Sequence, residues 1–173
     1  MTPSALLILD TQQNMFADDF HVANGSQILA NIAALIAKAQ AANAKIIYIR
    51  NNGGAGDPDE PGTPGWEIHP AIAPQADDMV VDKATADAFD NTTLQSLLDG
   101  QGITDLVVAG MQTEVCITET CQTAVNLGYN VTLAADAHTT FDWEEMTAAD
   151  AIAQAHNLLA PHLTIQPTQE IVF

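Results

Sequence analysis

Ala5-Leu-Leu-Ile-Leu9 is apolar at every position. A strand with one face in water alternates apolar and polar residues; a strand with no polar position needs cover on both faces. That is the condition of a parallel sheet wrapped by helices. Met79-Val-Val81 and Val107-Val-Ala109 are shorter runs of the same kind. All three lead into residues able to do chemistry. The first ends at Asp10, the second at Asp82 and Lys83, and the third runs through the bend permitted by Gly110 towards Cys116. In an open parallel sheet, ligands and chemistry gather outside the carboxyl ends of the strands. Asp10, Lys83 and Cys116 therefore occupy equivalent topological positions, and as a trio they carry information that none carries alone.

The remainder alternates helix and strand. Asn24 is placed to cap a helix through about Ala42, with Ile28, Ile32, Leu35, Ile36 and Ala39 on its apolar face. Lys45 to Arg50 reads as the second strand, and Asn52 to Pro64 as a long loop rich in Gly, Pro and Asp. Thr92 to Leu98 begins a short helix closed by Gly100 or Gly102, and Asp105 to Ala109 is the fourth strand. Thr113 is placed to cap a helix to about Gly128; Asn130 to Ala135 is the fifth strand. Glu144 to Leu159 reads as the last long helix and Leu163 to Gln166 as the sixth strand. The expectation is α/β, one domain over residues 1–173. Its architecture is three-layer α/β/α, built on a doubly wound six-stranded parallel sheet.

Two readings of Cys116 compete. A cysteine on a buried helix face is most often a small hydrophobe. In a first helical turn, however, unpaired backbone N–H groups and the positive end of the dipole lower a thiol's pKa, favour the thiolate and can hold an oxyanion. Asp10 and Lys83 tip the balance, because a carboxylate can take the thiol proton and a lysine can stabilise the thiolate.

Four ordered blocks now carry a resemblance. They are Leu6-Leu-Ile-Leu-Asp-Thr-Gln-Gln-Asn-Met-Phe16, Pro61-Gly-Thr-Pro-Gly-Trp-Glu-Ile68, Lys83-Ala-Thr-Ala-Asp-Ala-Phe89 with Thr93 and Leu94, and Ala109-Gly-Met-Gln-Thr-Glu-Val-Cys116. Ala134-Ala-Asp-Ala137 follows as a strand-end motif. Over nearly its whole length the chain resembles the isochorismatase-like cysteine hydrolases, which include nicotinamidases, N-carbamoylsarcosine amidases and streptothricin-type lactam hydrolases. The resemblance implies strand order 3-2-1-4-5-6. It also implies a catalytic triad of Asp10 (general base), Lys83 (electrostatic support) and Cys116 (nucleophile), and a non-proline cis peptide at Met111–Gln112. The backbone N–H groups of Gln112 and Cys116 would form the oxyanion hole. The implied reaction is cleavage of a C–N bond (amide, lactam or carbamoyl) through a thioester. A vinyl-ether hydrolase of the isochorismatase type and a non-catalytic scaffold are the alternatives.

One departure narrows the substrate. Nicotinamidases carry an Asp-x-His pair and a further His after the second strand, which bind a divalent metal. Here that strand runs into Asn51-Asn-Gly-Gly-Ala-Gly-Asp57, and His69 is the segment's one histidine. The chain is therefore read as metal-independent, with no cofactor. Phe16, Trp66, His138 and Phe141 fall in segments expected to overhang the strand ends, where they can bind substrate. Asp136 and Gln12 are expected to buttress the site by hydrogen bonding, and His21, His156 and His162 to be surface or helix-face residues.

Composition sets the partners. Asp and Glu number 22 against four Lys plus Arg, a formal charge of −18. That balance argues against nucleic acid, anionic lipid and strongly anionic substrates, and favours neutral or cationic small molecules. No apolar run approaches the ~20 residues needed to span a bilayer. The first residues carry no basic region and enter a strand at once, unlike a secretory signal. Cys116 and Cys121 lie too close on one helix for a good disulfide. A cytoplasmic protein with reduced thiols is expected, and the family resemblance implies a homodimer or higher homo-oligomer.

Overall fold

The computed structural model describes residues 3–17 and 20–173. Six parallel strands form one sheet: β1 (Ser4–Leu9), β2 (Lys45–Asn51), β3 (Met79–Lys83), β4 (Asp105–Gly110), β5 (Asn130–His138) and β6 (Thr164–Gln166). Their order is β3-β2-β1-β4-β5-β6, the doubly wound 3-2-1-4-5-6 arrangement. A two-stranded antiparallel ribbon, Phe16–Ala17 with Phe20–His21, stands apart.

Among the described residues four α-helices cover the sheet: α1 (Gly25–Ala42), α2 (Leu94–Gly100), α3 (Thr118–Asn126) and α4 (Ala148–Leu159). The core shows why β1 tolerates no polar residue. Leu7 and Leu9 join Leu94 and Leu98 of α2 and Cys121 and Ala124 of α3 in one apolar cluster. Leu6 and Ile8 point the other way, into a cluster with Ile28, Ile32 and Leu35 of α1. Successive strand side chains alternate between faces, and here each face has its own helices, so all five residues Ala5–Leu9 are wholly buried. No helix among the described residues is long and apolar enough to cross a membrane.

Several boundaries differ from expectation, each for a local reason. The last helix begins at Ala148, not Glu144. Thr147 caps it by accepting from the Asp150 N–H, while Asp142 accepts from the Ala148 N–H. Trp143 and Met146 pair across a turn just before it. The fifth strand runs three residues beyond Ala135, to His138, because its pairing with β4 shifts register between Val108 and Gly110. The helix after β4 is not capped by Thr113. Gln112 holds the extended capping conformation, Thr113–Ile117 forms a single π-helical turn, and α3 follows it.

Candidate active site

Each strand end prepares one side chain. Asp10 follows β1 with a left-handed backbone (φ 49°), its N–H still donating to the Ile49 carbonyl of β2 at 2.8 Å. Short polar residues tolerate that conformation better than most. Lys83 is the last residue of β3, in register with Asn51 at the end of β2. Gly110 closes β4 with φ 119°, and a Cβ there would sit 2.1 Å from the Leu9 carbonyl oxygen. Only glycine allows β4 to turn so tightly against β1. The Met111–Gln112 peptide is cis, and Cys116 follows in the π-helical turn.

The trio meets in space. Although two strands separate β3 from β4 in the sheet, the Lys83 side chain crosses the end of β2. Its Nζ lies 2.9 Å from Asp10 Oδ2 and 3.4 Å from Cys116 Sγ. The ammonium also donates to the Thr85 carbonyl at 3.0 Å and to Asn51 Oδ1 at 3.4 Å. Asp10 is 1% and Lys83 3% exposed, whereas Cys116 is partly open. Asp10 Oδ1 is buried without a hydrogen-bond partner among the described residues.

Burial governs the titration of all three. It pushes the Asp10 carboxyl above its ordinary value, against the opposing pull of Lys83 and the thiol. It pushes the Cys116 thiol up to about 12, helped by the Asp10 charge and opposed by Lys83. This overturns the expected low thiol pKa: the favourable end of a short helical turn is outweighed by desolvation and a neighbouring carboxylate. Burial alone would lower the Lys83 ammonium, but Asp10 and Cys116 outweigh it and the net direction is up. One cation thus faces two potential anions. The charge of each anion sets the cost of charging the other, so carboxylate and thiol titrate as a unit.

Asn51 and Asp59, which sequence reasoning passed over, join the expected buttress Gln12 beside the trio. Asn51 donates from Nδ2 to Asp59 Oδ2 at 2.7 Å while its Oδ1 faces Lys83, so an amide joins a second, nearly buried carboxylate to the ammonium. Its place at a strand end, equivalent to that of Asp10, was the signal that could have found it. Gln12 clamps Asn51 by taking its N–H and donating to its C=O, both at 2.8 Å. Asp136 instead receives the Thr168 N–H and hydroxyl, tying down the C-terminal segment.

The four expected substrate residues lie in different settings. Phe16 stands half-buried in the ribbon, its ring 4.9 Å from that of His69. With Asn14, Pro58, Gly65 and His69 it lines a surface cavity of about 470 Å³. Trp66 donates to Asn52 Oδ1 at 2.8 Å, and the Arg50 guanidinium lies 3.4 Å over its ring. Phe141 is a core residue against Trp143. His138 is not in a loop: it ends β5, is 1% exposed, and both ring nitrogens are engaged, by Thr113 and His156. No group of three His, Cys, Asp or Glu side chains among the described residues is arranged to hold a metal ion.

Comparison with known proteins gives a consistent neighbourhood. The family model for the isochorismatase domain matches residues 4–166. A streptothricin hydrolase of Streptomyces noursei is 38% identical over 138 residues, covering 80% of this chain and 50% of the relative. The chain thus spans about half the length of the streptothricin hydrolases it matches. A ureidoacrylate amidohydrolase of Variovorax paradoxus is 29% identical over 171 residues, covering 78% of this chain and 68% of that one. Among solved structures, an isochorismatase from Pseudomonas putida KT2440 superposes with a TM-score of 0.92 at 27% identity, over 98% of this chain and 90% of the other.

Proposed function

The chain belongs to the isochorismatase domain family, and on that premise we propose that it is a cysteine hydrolase cleaving a C–N bond of a small molecule through a thioester. The observation that carries this reading is the buried Lys83 ammonium set between the Asp10 carboxylate at 2.9 Å and the Cys116 thiol at 3.4 Å. The relatives named for hydrolysis of streptothricin and of ureidoacrylate point to amide-type bonds.

The steps follow from the shared proton. In the resting site Asp10 is the anion and Cys116 the acid. As the thiol attacks the substrate carbonyl, its proton passes to Asp10, and the negative charge moves to the carbonyl oxygen. The backbone N–H groups of Gln112 and Cys116 receive that oxyanion. Asp10, whose burial favours the protonated form, then gives the proton to the departing nitrogen, leaving a thioester. Water enters, gives a proton back to Asp10 and attacks the thioester carbon; the thiol leaves and recovers that proton. Lys83 stays charged throughout and balances whichever partner is the anion.

A surface this acidic favours a neutral or cationic substrate over an anionic one, and Phe16 with its neighbouring cavity is the proposed aromatic wall of its approach. Trp66 flanks that approach through Arg50. The same premise brings self-association into a homodimer or larger assembly, which sedimentation velocity reads directly. The decisive experiment is turnover of an amide panel, streptothricin and ureido acids included, by wild type and Cys116→Ala. Loss of all turnover with an unchanged circular dichroism spectrum supports the proposal. Retained turnover in a folded Cys116→Ala protein overturns it.

A further inference from the structure

The π-helical turn that carries Cys116 is fastened to α4 by two histidines. Thr113, the first residue of the turn, is wholly buried, and its Oγ1 lies 2.9 Å from His138 Nδ1. On the far side of the same ring, His138 Nε2 lies 2.9 Å from His156 Nε2 of α4, the two rings meeting edge to face. The backbone adds a second stitch, from the Thr113 N–H to the Thr139 carbonyl at 3.1 Å. We propose that Thr113, His138 and His156 form a proton-ordered hydrogen-bond chain that holds the nucleophile turn, with both histidines acting as positioning residues for Cys116. The catalytic consequence rests on Cys116 being the nucleophile; the chain itself does not.

Hydrogen counting fixes its polarity. Thr113 Oγ1 has one partner among the described residues, His138 Nδ1. If that nitrogen carried the proton, the threonine hydrogen would be buried with no acceptor, at the full cost of an unmade bond. The hydroxyl therefore donates to Nδ1, His138 carries its proton on Nε2 and donates to His156 Nε2, and His156 keeps its own proton on Nδ1. Every polar atom from Thr113 Oγ1 to His156 Nε2 then has a partner of the right kind.

That order has one weak point. A proton added to His156 Nε2 sets two N–H groups face to face, and the conflict is relieved only by reversing His138, which strands the Thr113 hydroxyl. Neutral rings are thus a condition of the clamp. Burial holds both in that form: it lowers the pKa of His156, and pushes His138 down to about 3 with help from His156 and against Asp136. Of the acidic groups on the elements packed against α4, Glu114 on the turn is bonded to Thr140 at 2.8 Å and Glu119 on α3 is exposed.

Side-chain ¹⁵N NMR of the histidines reads the tautomers. The expected result is His138 protonated on Nε2 and His156 on Nδ1, with His156 the one that titrates as the solution is acidified. His138 protonated on Nδ1 at neutral pH overturns the proposal. The consequence is read by the reaction of Cys116 with dithiodipyridine, which attacks thiols even in acid, with Cys121 as internal control. As His156 gains its proton the turn loosens and the thiol drifts from Lys83, so the wild-type rate falls in a step of about tenfold. His156→Gln keeps an acceptor but has no proton to gain, and its profile lacks the step. Absence of the step in wild type, or its persistence in His156→Gln, overturns the proposal. Neither readout needs turnover, so a chain that hydrolyses no amide still tests it.

Discussion

Lys83 faces both Asp10 and Cys116, and the charge of each sets the cost of the other. Replacing Asp10 by Asn removes the charge that opposes thiolate formation and leaves the ammonium with only sulfur to neutralise it. Asp10→Asn is therefore expected to lower the pH midpoint of Cys116 alkylation by about 1–3 units while abolishing turnover. Lys83→Met is expected to move the midpoint the other way. It also strands a buried carboxylate, at a cost of about 3–5 kcal/mol in urea unfolding. A thiol activated only by its helical turn would ignore both changes. The linkage runs in step. Burial, with the Asp10 charge, pushes the folded Cys116 thiol up to about 12, against about 9 for the thiol in the unfolded chain. Above about 9 the unfolded chain binds fewer protons, so stability falls as pH rises through that window. Acid-side loss from His138 has the opposite sign: the unfolded ring takes up a proton below about 6.5, the folded one only near 3. Stability therefore declines as pH drops between those values.

The end of β4 shows what a local pattern can and cannot disclose. Both Gly110 and Gly128 have positive φ, but a Cβ at Gly128 meets nothing within 4 Å while one at Gly110 collides with the Leu9 backbone. Gly128→Ala is expected to cost about 1 kcal/mol, the conformational penalty alone. Gly110→Ala must also prise β4 from β1, so a shortfall in folded yield or a loss above about 3 kcal/mol is expected. Urea midpoints of the two variants make the comparison; equal losses would contradict it. The sequence showed that a bend follows Ala109, because Gly interrupts an apolar run. It did not show which atom the bend lies against. The same division holds elsewhere. The apolar run Ala5–Leu9 disclosed β1 and its two covered faces, since burial on both sides forbids a polar residue. Strand-end position disclosed Asp10, Lys83 and Cys116. Residues 144–147 misled because Glu144 and Glu145 suit a helix, while Thr147 and Asp142 cap one that starts later. His138 and His156 are 18 residues apart on different elements, and their ring contact exists only once β5 and α4 have packed. The raised thiol pKa was likewise invisible, because it comes from burial and a carboxylate delivered by another strand.

Four basic residues serve a chain of formal charge −18, and three of them are committed inside the fold. Lys83 neutralises Asp10. Arg50 is held by Asp82 at 2.8 Å and lies over Trp66. Lys38 donates to the carbonyls of Thr168, Gln169 and Ile171 at 2.7, 2.9 and 3.0 Å, pinning the C-terminal segment to α1. Lys45, the fourth, is exposed at the start of β2. The acidic surface is therefore almost without internal counterions, and its charges repel one another more in the compact state than in an expanded chain. Salt screens that repulsion over a Debye length that shrinks from about 30 Å at 0.01 M to about 3 Å at 1 M. It weakens the few ion pairs too, but Lys83–Asp10 is buried and poorly screened. Screening of repulsion thus wins. The melting temperature is expected to rise with sodium chloride, by about 2–8 °C for a gain of 1–2 kcal/mol in a chain of this length. Lys38→Met tests the other half of the argument. It adds a further unit of negative charge and frees three carbonyls, so its melting temperature is expected to fall and its salt dependence to steepen. A melting temperature that fell with salt would mean that attraction among surface charges outweighs repulsion, which only a regular pairing of the 22 acids with scarce bases could supply.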